Sequence, residues 1–232
     1  MTLAFTLLLV PGSAGADGQS WSTVTSPNAG ASINILQSVS CVSASECTAV
    51  GNYNDGVRGD ATLILHWNGT TWTTVTSPNS GASYNYLRSV SCVNASDCTA
   101  VGYYNDGARY ATLILHWNGT TWTTMTSPNA GASNNLLQSV SCVNASDCTA
   151  VGYFDDGTRY ATLILHWNGT TWTTVTSSNT GAATNYLLSV SCVSASDCTA
   201  VGYFDDGTRN ATLTLHWNGT TWTTMTSPNA GA

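Results

Sequence analysis

The eight cysteines are the residues whose spacing most clearly implies chemistry. They form four pairs, and five residues separate the two thiols of each pair. An even number of cysteines at a fixed spacing favours disulfides in an exported chain. Zinc sites prefer cysteines roughly two to four residues apart with a second ligand pair nearby, and the sequence has neither feature. Buried free thiols are the remaining alternative. We predict the disulfides Cys41–Cys47, Cys92–Cys98, Cys142–Cys148 and Cys192–Cys198.

Histidine is the second residue type that can do chemistry. The chain has four histidines, and each is followed by Trp-Asn. A ring of equivalent imidazoles is one way to bind a metal ion. Each histidine, however, ends the third predicted strand of a repeat, beside a tryptophan and a turn. We therefore interpret the histidines as structural groups that bond to the backbone or to a neighbouring repeat, and we predict no metal site at His66, His116, His166 and His216.

The sequence lacks the asymmetry that catalysis requires. An acid–base or nucleophilic site combines different residues with different roles and pKa values. Near-identical repeats instead supply the same residues several times over. Glu46 is the single glutamate, lysine is absent, and no pair of unlike carboxylates belongs to one repeat alone. We predict a protein with no enzymatic activity, no catalytic residue and no cofactor.

The composition excludes two further classes of protein. The net charge is −7 and all five basic residues are arginines, so the chain lacks the clusters of Lys and Arg on which nucleic-acid affinity rests. Hydrophobic residues make up 42% of the chain and charged residues only 7%, which is not the composition of a disordered protein. We predict a folded domain with no nucleic-acid partner.

The N-terminal segment, residues 1–16, is interpreted as a signal peptide. Residues 3–10 (LAFTLLLV) form an apolar run that is too short to span a bilayer, and small residues precede a cleavage point at Asp17. No Lys or Arg precedes the run, so an N-terminal hydrophobic strand is the alternative. No later segment has the length of a membrane span. We expect a secreted, extracellular protein with one mature domain, residues 17–232.

One sequence unit recurs through the mature chain. The first cysteines of the four pairs are 51, 50 and 50 residues apart, a period typical of propellers and solenoids. Each unit contains four short strand patterns separated by turn signals such as Asn-Asp-Gly and Asn-Gly. Small residues dominate the first two strands, and Leu, Ile and Trp dominate the last two, as a sheet radiating from an axis requires. A solenoid coil is normally shorter. We predict an all-β protein, a β-propeller of four four-stranded antiparallel blades, with units at about 36–79, 87–129, 137–179 and 187–229.

The predicted strands outnumber those of four blades by one. A lone copy of the fourth-strand sequence begins at Trp21, and the last unit has its own copy from Trp222. A closed ring often borrows a strand from the opposite terminus, which is one explanation of the surplus N-terminal strand. The others are a fragment of a longer array and a homodimer in which two chains complete a larger ring.

The repeat resembles a known group of proteins. Units that read Ser-Cys-x5-Cys-Thr-Ala-Val-Gly and then His-Trp-Asn-Gly-Thr-Thr-Trp resemble the tandem-repeat β-propellers of secreted bacterial proteins, whose function is unknown. The segment from Gly69 to Trp72 is also similar to the end of the Asp-box turn of sialidase-like propellers. Leu65 and Trp67 stand where that motif has its Ser and Asp. The resemblance implies a propeller fold, and the departures lead us to expect no sialidase activity.

Differences between the units locate the surface that we expect to bind a ligand. The cysteine loop barely varies, whereas the inter-unit loop and the turn between the second and third strands do. In a blade these two segments emerge on the same side, where they present Tyr, Phe, Asn, Asp and Arg. We predict a non-catalytic binding module for a polysaccharide or another cell-surface polymer; the alternative is an extracellular structural or protein-interaction scaffold that binds a cell-surface protein. The predicted ligand-binding residues are Tyr84, Tyr86, Tyr103, Tyr104, Asp106, Arg109, Tyr153, Phe154, Asp156, Arg159 and Tyr186.

The repeated Asp-Gly-x-Arg turn within this surface has a simpler interpretation. An exposed ion pair in a hairpin turn contributes at most about 1 kcal/mol to stability. The ligand spacing of a calcium loop is absent from these turns. They therefore serve either as polar contacts for a ligand or only as turns.

Overall fold

The structure is a computed structural model that describes residues 22–57, 59–81, 83–181 and 183–229. The predicted signal peptide, residues 1–16, lies outside the described residues. The described chain forms sixteen β-strands. None of its residues lies in a helix that could cross a membrane. The prediction of an all-β fold is confirmed.

The strands form four antiparallel sheets, one per repeat, which we call blades 1 to 4. Within each blade the strands are neighbours in chain order, so every connection inside a blade is a hairpin. Blade 1 contains β1 (Asn34–Ser43), β2 (Glu46–Asn54), β3 (Asp60–Trp67) and β4 (Trp72–Val75). Blade 2 contains β5 (Ser83–Asn94), β6 (Asp97–Asn105), β7 (Tyr110–Trp117) and β8 (Trp122–Thr124). Blade 3 contains β9 (Asn135–Asn144), β10 (Asp147–Asp155), β11 (Tyr160–Trp167) and β12 (Trp172–Thr174). Blade 4 contains β13 (Asn185–Ser194), β14 (Asp197–Asp205), β15 (Asn210–Trp217) and β16 (Trp222–Met225).

The hairpin between the first two strands of each blade is closed by a disulfide. In blade 2, Cys92 and Cys98 stand directly opposite each other, with their Cα atoms 3.9 Å apart. The indole Nε1 of Trp117 donates a hydrogen bond to the carbonyl oxygen of Ala95 in the hairpin loop at 3.1 Å. All four blades repeat both features. The predicted disulfides within units are confirmed, and we call this end of the blades the cysteine side.

Blades 1 to 3 each pack one face against the blade that follows. We call this face the leading face and the opposite one the trailing face. Between blades 2 and 3, Val101 and Ile114 of the leading face share a buried cluster with Leu137, Leu163 and Trp172 of the trailing face. Equivalent residues fill the junctions between blades 1 and 2 and between blades 3 and 4. Stacking thus buries apolar faces that a single four-stranded sheet would leave in water.

Serine hydroxyls set the register between the innermost strands of adjacent blades. The backbone N–H of Val140 donates to Ser89 Oγ at 3.2 Å, and the N–H of Cys142 donates to Ser91 Oγ at 3.0 Å. The same two bonds join blades 1 and 2 and blades 3 and 4. This explains the Ser-Val-Ser-Cys sequence of each first strand, since the valine fills the trailing face and the serines bond the next blade.

One asparagine organises the linker that leads into each blade. Asn135 is 0% exposed. Its Oδ1 accepts hydrogen bonds from the N–H groups of Ala130 at 2.8 Å and Gly131 at 3.1 Å, and its Nδ2 donates to the Gly131 carbonyl oxygen at 3.0 Å. A Cβ atom on Gly131 would lie 2.5 Å from the carbonyl oxygen of Asp155, so no larger residue fits there. Equivalent bonds are made by Asn34, Asn85 and Asn185.

The four blades follow one another in chain order. Contacts between innermost strands join β1 to β5, β5 to β9 and β9 to β13. The surplus fourth-strand sequence, described from residue 22, forms no strand in its described part. Val24 instead lines a groove with Leu36, Val39 and Trp72 on the trailing face of blade 1.

We expect Asn135→Ala to lower the free energy of unfolding by about 1–3 kcal/mol, because it empties the fully buried position of the amide and removes its hydrogen bonds to the linker. Asn34→Ala is the matched control. It removes the same bonds in blade 1, where Asn34 is only partly buried and water replaces the lost partners. Urea unfolding followed by tryptophan fluorescence measures both losses. Equal losses in the two variants would show that burial of the asparagine is not the cause.

Candidate functional site

The histidines pair with acids on the neighbouring strand of the same blade. His66 Nε2 lies 2.6 Å from Glu46 Oε1, and the other histidines lie 3.1 to 3.4 Å from an aspartate at the same position. We predicted that each imidazole bonds to the backbone or to another repeat. This prediction is wrong, because the partner of each imidazole is a carboxylate of the same blade. Among the described residues, no three His, Cys, Asp or Glu side chains come together as a metal site requires.

The Asp-Gly-x-Arg turns are held by their own hydrogen bonds. Asp106 Oδ1 accepts the N–H groups of Ala108 and Arg109, each at 2.9 Å, and these bonds hold the pKa of Asp106 below its usual range. Arg109 Nη1 donates to the carbonyl oxygen of Gly131 in the following linker at 2.8 Å. The turns and linkers therefore lie together on the side of the blades away from the disulfides, and we call it the linker side. Asp156 and Arg159 repeat the arrangement in blade 3.

Tyr104 and Phe154 lie largely between blades. Tyr104 packs against the buried cluster of blades 1 and 2, and Phe154 packs against that of blades 2 and 3. Both rings stand under a linker glycine, and Phe154 Cδ2 would lie 2.8 Å from a Cβ atom on Gly131. These two predicted site residues shape the core and the linker, and only part of each ring reaches the surface.

Four tyrosines form a cluster on the linker side of blade 2. The ring centroid of Tyr103 lies 5.2 Å from that of Tyr86 and 5.4 Å from that of Tyr110. The ring of Tyr84 lies 6.5 Å from that of Tyr86 and is nearly parallel to it. Tyr84 is 45% exposed, and the other three rings are half-buried.

A second tyrosine cluster spans blades 3 and 4. The ring centroid of Tyr186 lies 4.2 Å from that of Tyr153, 5.4 Å from that of Tyr160 and 5.0 Å from that of Tyr203. All of these rings are half-buried. Aromatic pairs at such separations support one another and keep the rings in place. Together the two clusters define the tyrosine face: Tyr84, Tyr86, Tyr103, Tyr110, Tyr153, Tyr160, Tyr186 and Tyr203.

Polar side chains lie between the two clusters. Arg88, on the innermost strand of blade 2, donates a hydrogen bond from Nε to Gln138 Oε1 of blade 3 at 3.2 Å. Burial raises the pKa of Tyr103 and of Tyr153, and the positive charge of Arg88 opposes part of the rise at both rings. Arg88 is thus close to both clusters and adds a cation to a surface of neutral rings.

Asp60, at the junction of blades 1 and 2, holds a repeat position that is not acidic in the later units. The hydroxyl of Tyr86 donates to Asp60 Oδ2 at 2.6 Å. Asp60 Oδ1 is buried, and no donor within the described chain reaches it. Nearby Tyr84 has a φ of 53°, in the left-handed region that tyrosine rarely adopts. Such conformations cluster at functional sites, because the surrounding structure must hold them against strain.

Part of the tyrosine face coincides with the predicted ligand-binding residues. Five of them lie together on the linker side: Tyr84, Tyr86, Tyr103, Tyr153 and Tyr186. The remaining members of this surface were missed. Variation between units could have located them, because residues that differ from unit to unit at one repeat position are not needed for stacking. One such position is occupied in turn by Asp60, Tyr110, Tyr160 and Asn210, and another by Gln37, Arg88, Gln138 and Leu188. The residues that reasoning from the sequence missed are Tyr110, Tyr160, Tyr203, Asp60, Arg88 and Gln138.

Comparison with known proteins bears on the fold. The sequence matches no protein-family model, and no curated protein matches it. The chain is similar to YCF48 bound to D1 peptide, with a TM-score of 0.51 and 13% identity over 84% of this chain. It is also similar to the Aleuria aurantia lectin AAL in complex with Fucalpha1-6GlcNAc, with a TM-score of 0.50 and 10% identity over 78% of this chain. The fold is a β-propeller. This propeller chain spans 54% of the first structure and 58% of the second.

We expect the stability of the propeller to fall as the pH rises from 10 towards about 12, because burial raises the pKa of Tyr153 from 10.0 to about 12. Above pH 10 the unfolded chain loses this proton first, so the folded state, which keeps it, loses stability until the pH passes the folded-state pKa. Tyr153→Phe removes one titrating group and should make this part of the curve less steep, while Tyr103, whose pKa burial also raises, keeps part of the slope. Urea unfolding at a series of pH values measures the slope. Below pH 10 the pH dependence should be the same in both proteins, and an unchanged slope above it would contradict the assignment.

Proposed function

We propose that this protein is a secreted, non-catalytic module that binds a polysaccharide of a cell surface or its surroundings through the tyrosine face. The observation that carries the proposal is the gathering of partly exposed tyrosine rings with the polar side chains of Arg88 and Gln138. Ligand sites combine aromatic surface with a few polar groups that fix orientation. Sugars present both an apolar ring face and a set of hydroxyl groups, so they match this combination.

The fold comparison supports the same class of ligand. The Aleuria aurantia lectin, a structure of similar fold, is in complex with Fucalpha1-6GlcNAc. A shared fold at 10% identity does not transfer a ligand, since one fold hosts many functions. It supports the proposal because a propeller of this kind accommodates a glycan. The proposed site, the tyrosine face, rests on this chain's own residues.

A non-catalytic role is consistent with the partners of the acidic side chains, which are paired with histidines or bonded to their own turns. Each histidine pairs with a carboxylate, Glu46 included, on the neighbouring strand. Asp106 and Asp156 are occupied by backbone N–H groups of their own turns. A glycosidase needs two acids of unlike pKa on either side of one bond. At the tyrosine face, Asp60 is bonded by the hydroxyl of Tyr86.

An extracellular setting is consistent with the disulfides. Four disulfides form, and none of the cysteines is free. Disulfides persist in oxidising compartments and are rare where thiols are kept reduced. Together with the apolar N-terminal segment of the sequence, they support secretion.

The two tyrosine clusters favour a repeating ligand. Most rings of each cluster are half-buried, so each cluster offers a limited contact area to a single sugar. A polymer that contacts both clusters of one molecule, or of several, gains from effective concentration. We therefore expect weak binding of monosaccharides and much tighter retention on an insoluble polysaccharide.

The test is a double substitution with a matched control. We expect Tyr103→Ala combined with Tyr153→Ala to reduce retention on an insoluble polysaccharide (cellulose, chitin or xylan) by about tenfold, because one ring is lost from each cluster. Tyr103→Phe combined with Tyr153→Phe keeps both rings and should lose much less. Thr120→Ala with Thr170→Ala, on the cysteine side, should have no effect. Pull-down on the polymer and a glycan array measure binding, and circular dichroism confirms folding.

Two outcomes would contradict the proposal. One is a folded double-alanine variant that is retained as well as the unmodified protein. The other is an absence of binding to every polysaccharide and glycan tested. The second outcome would favour the alternative candidate, a protein-interaction scaffold.

The scaffold candidate is favoured by a different observation. Apolar side chains are exposed at both ends of the stack of blades, including Val39 at 58% and Val201 at 42%. YCF48, a structure of similar fold, is bound to a peptide. Exposed apolar surface of this kind marks sites of contact between proteins.

A further inference from the structure

We propose that the leading face of blade 4 binds the trailing face of blade 1 in a second copy of this chain, so that copies associate head to tail. The inference goes beyond ligand binding and uses a different part of the molecule. It rests on the three junctions inside the chain, which show how a leading face and a trailing face fit together. The two ends of the stack present one face of each kind without a partner blade among the described residues.

The leading face of blade 4 is equivalent to the faces buried inside the chain. Val50, Val101 and Val151, at one repeat position on the leading faces of blades 1 to 3, are each 0% exposed. Val201 holds that position in blade 4 and is 42% exposed. Met225 is 49% exposed, and it shares its repeat position with Val75, Met125 and Val175. The leading faces of blades 1 to 3 are thus buried in junctions, and the equivalent face of blade 4 is open to solvent.

The trailing face of blade 1 is exposed in the complementary way. Leu87, Leu137 and Leu187 are each 0% exposed, because a preceding blade covers them. Leu36 holds the same position in blade 1 and is 45% exposed. Val39 is 58% exposed, while Val90, Val140 and Val190 at its position are 5 to 7% exposed. This face is therefore shaped to receive a leading face.

The serine bonds give the proposed contact a register. At each internal junction two serines of the leading face accept the N–H groups of a valine and a cysteine of the next blade. Ser189 and Ser191 occupy those serine positions in blade 4 and are exposed. In the proposed contact they accept the N–H groups of Val39 and Cys41 of the second copy. The unsatisfied backbone of an exposed innermost strand is thereby paired.

Two features make this contact weaker than an internal junction. Thr214 stands where Ile64, Ile114 and Ile164 each fill a junction, so less apolar surface is available. Val24 also lies in the groove with Leu36 and Val39 and must move for a second copy to seat fully. We therefore expect association that depends on concentration in the micromolar range or above.

The contact is heterologous, because the two surfaces that meet are different. If the rotation between blades closes, two copies joined at both ends form a ring of about eight blades, within the range that propellers adopt. If it does not close, head-to-tail contact gives longer chains. Either product contains the same contact, and the experiment below tests that contact.

The experiment measures mass in solution over a range of protein concentrations, by sedimentation velocity and light scattering, without any ligand. We expect the unmodified protein to associate and Val201→Asp and Val39→Asp each to be monomeric, because either change places a charge in the apolar contact. Val57→Asp adds the same charge at a valine that is 89% exposed and away from both end faces, and it should associate like the unmodified protein. Thr214→Ile should tighten association by about threefold to tenfold.

A mixing experiment separates head-to-tail contact from any other. Val39→Asp keeps an intact blade 4 face, and Val201→Asp keeps an intact blade 1 face. An equimolar mixture should therefore form a dimer with one intact contact, although each variant alone is monomeric. Circular dichroism of each variant shows that the blades are folded.

The proposal is overturned if the unmodified protein and Thr214→Ile are both monomeric at every concentration. It is also overturned if Val57→Asp dissociates the assembly as Val201→Asp does, or if the mixture of the two end variants stays monomeric. These measurements do not involve polysaccharide, so their outcome is independent of the proposed carbohydrate binding.

Discussion

The contact between the leading face of one blade and the trailing face of the next is the interaction on which the structure depends. A four-stranded sheet with apolar residues on both faces cannot bury either face by itself. Burying one Leu or Ile side chain is worth about 1.5–3 kcal/mol, and each junction buries several. Because every internal blade must match both of its neighbours, the repeats keep the same Val, Ile, Leu and Trp positions, and the sequence stays nearly periodic.

The polar groups of the junctions obey the same constraint. Ser89 and Ser91 bond backbone N–H groups of the next blade, and the buried amide of Asn135 bonds three backbone groups of its own linker. A buried donor or acceptor without a partner costs about 1–3 kcal/mol. These residues therefore recur in the units for a structural reason. Variation is left to positions outside the junctions, and many of those positions lie on the linker side.

The tyrosine face follows from that division. Tyr103, Tyr110 and Arg88 stand at repeat positions where other units have Asn, Asp, Gln or Leu, so their side chains are not required by the stacking of blades. The acids and histidines on the cysteine side pair with one another and leave little free chemistry. The fold therefore leaves an aromatic surface with scattered polar groups for ligand recognition. It leaves the exposed ends of the stack of blades for assembly.

Features that depend on local spacing could be predicted from the sequence. Cysteines five residues apart on a hairpin close with each other, and a period of about fifty residues with four strand patterns defines a blade. Other contacts become visible only in the folded chain. Glu46 pairs with His66, Tyr104 packs in the junction of blades 1 and 2, and Tyr160 of blade 3 contacts Tyr186 of blade 4. The residues in these contacts lie on different strands or in different units, about twenty or more positions apart. No periodicity links them, because their meeting depends on how strands pair and how one blade is rotated onto the next.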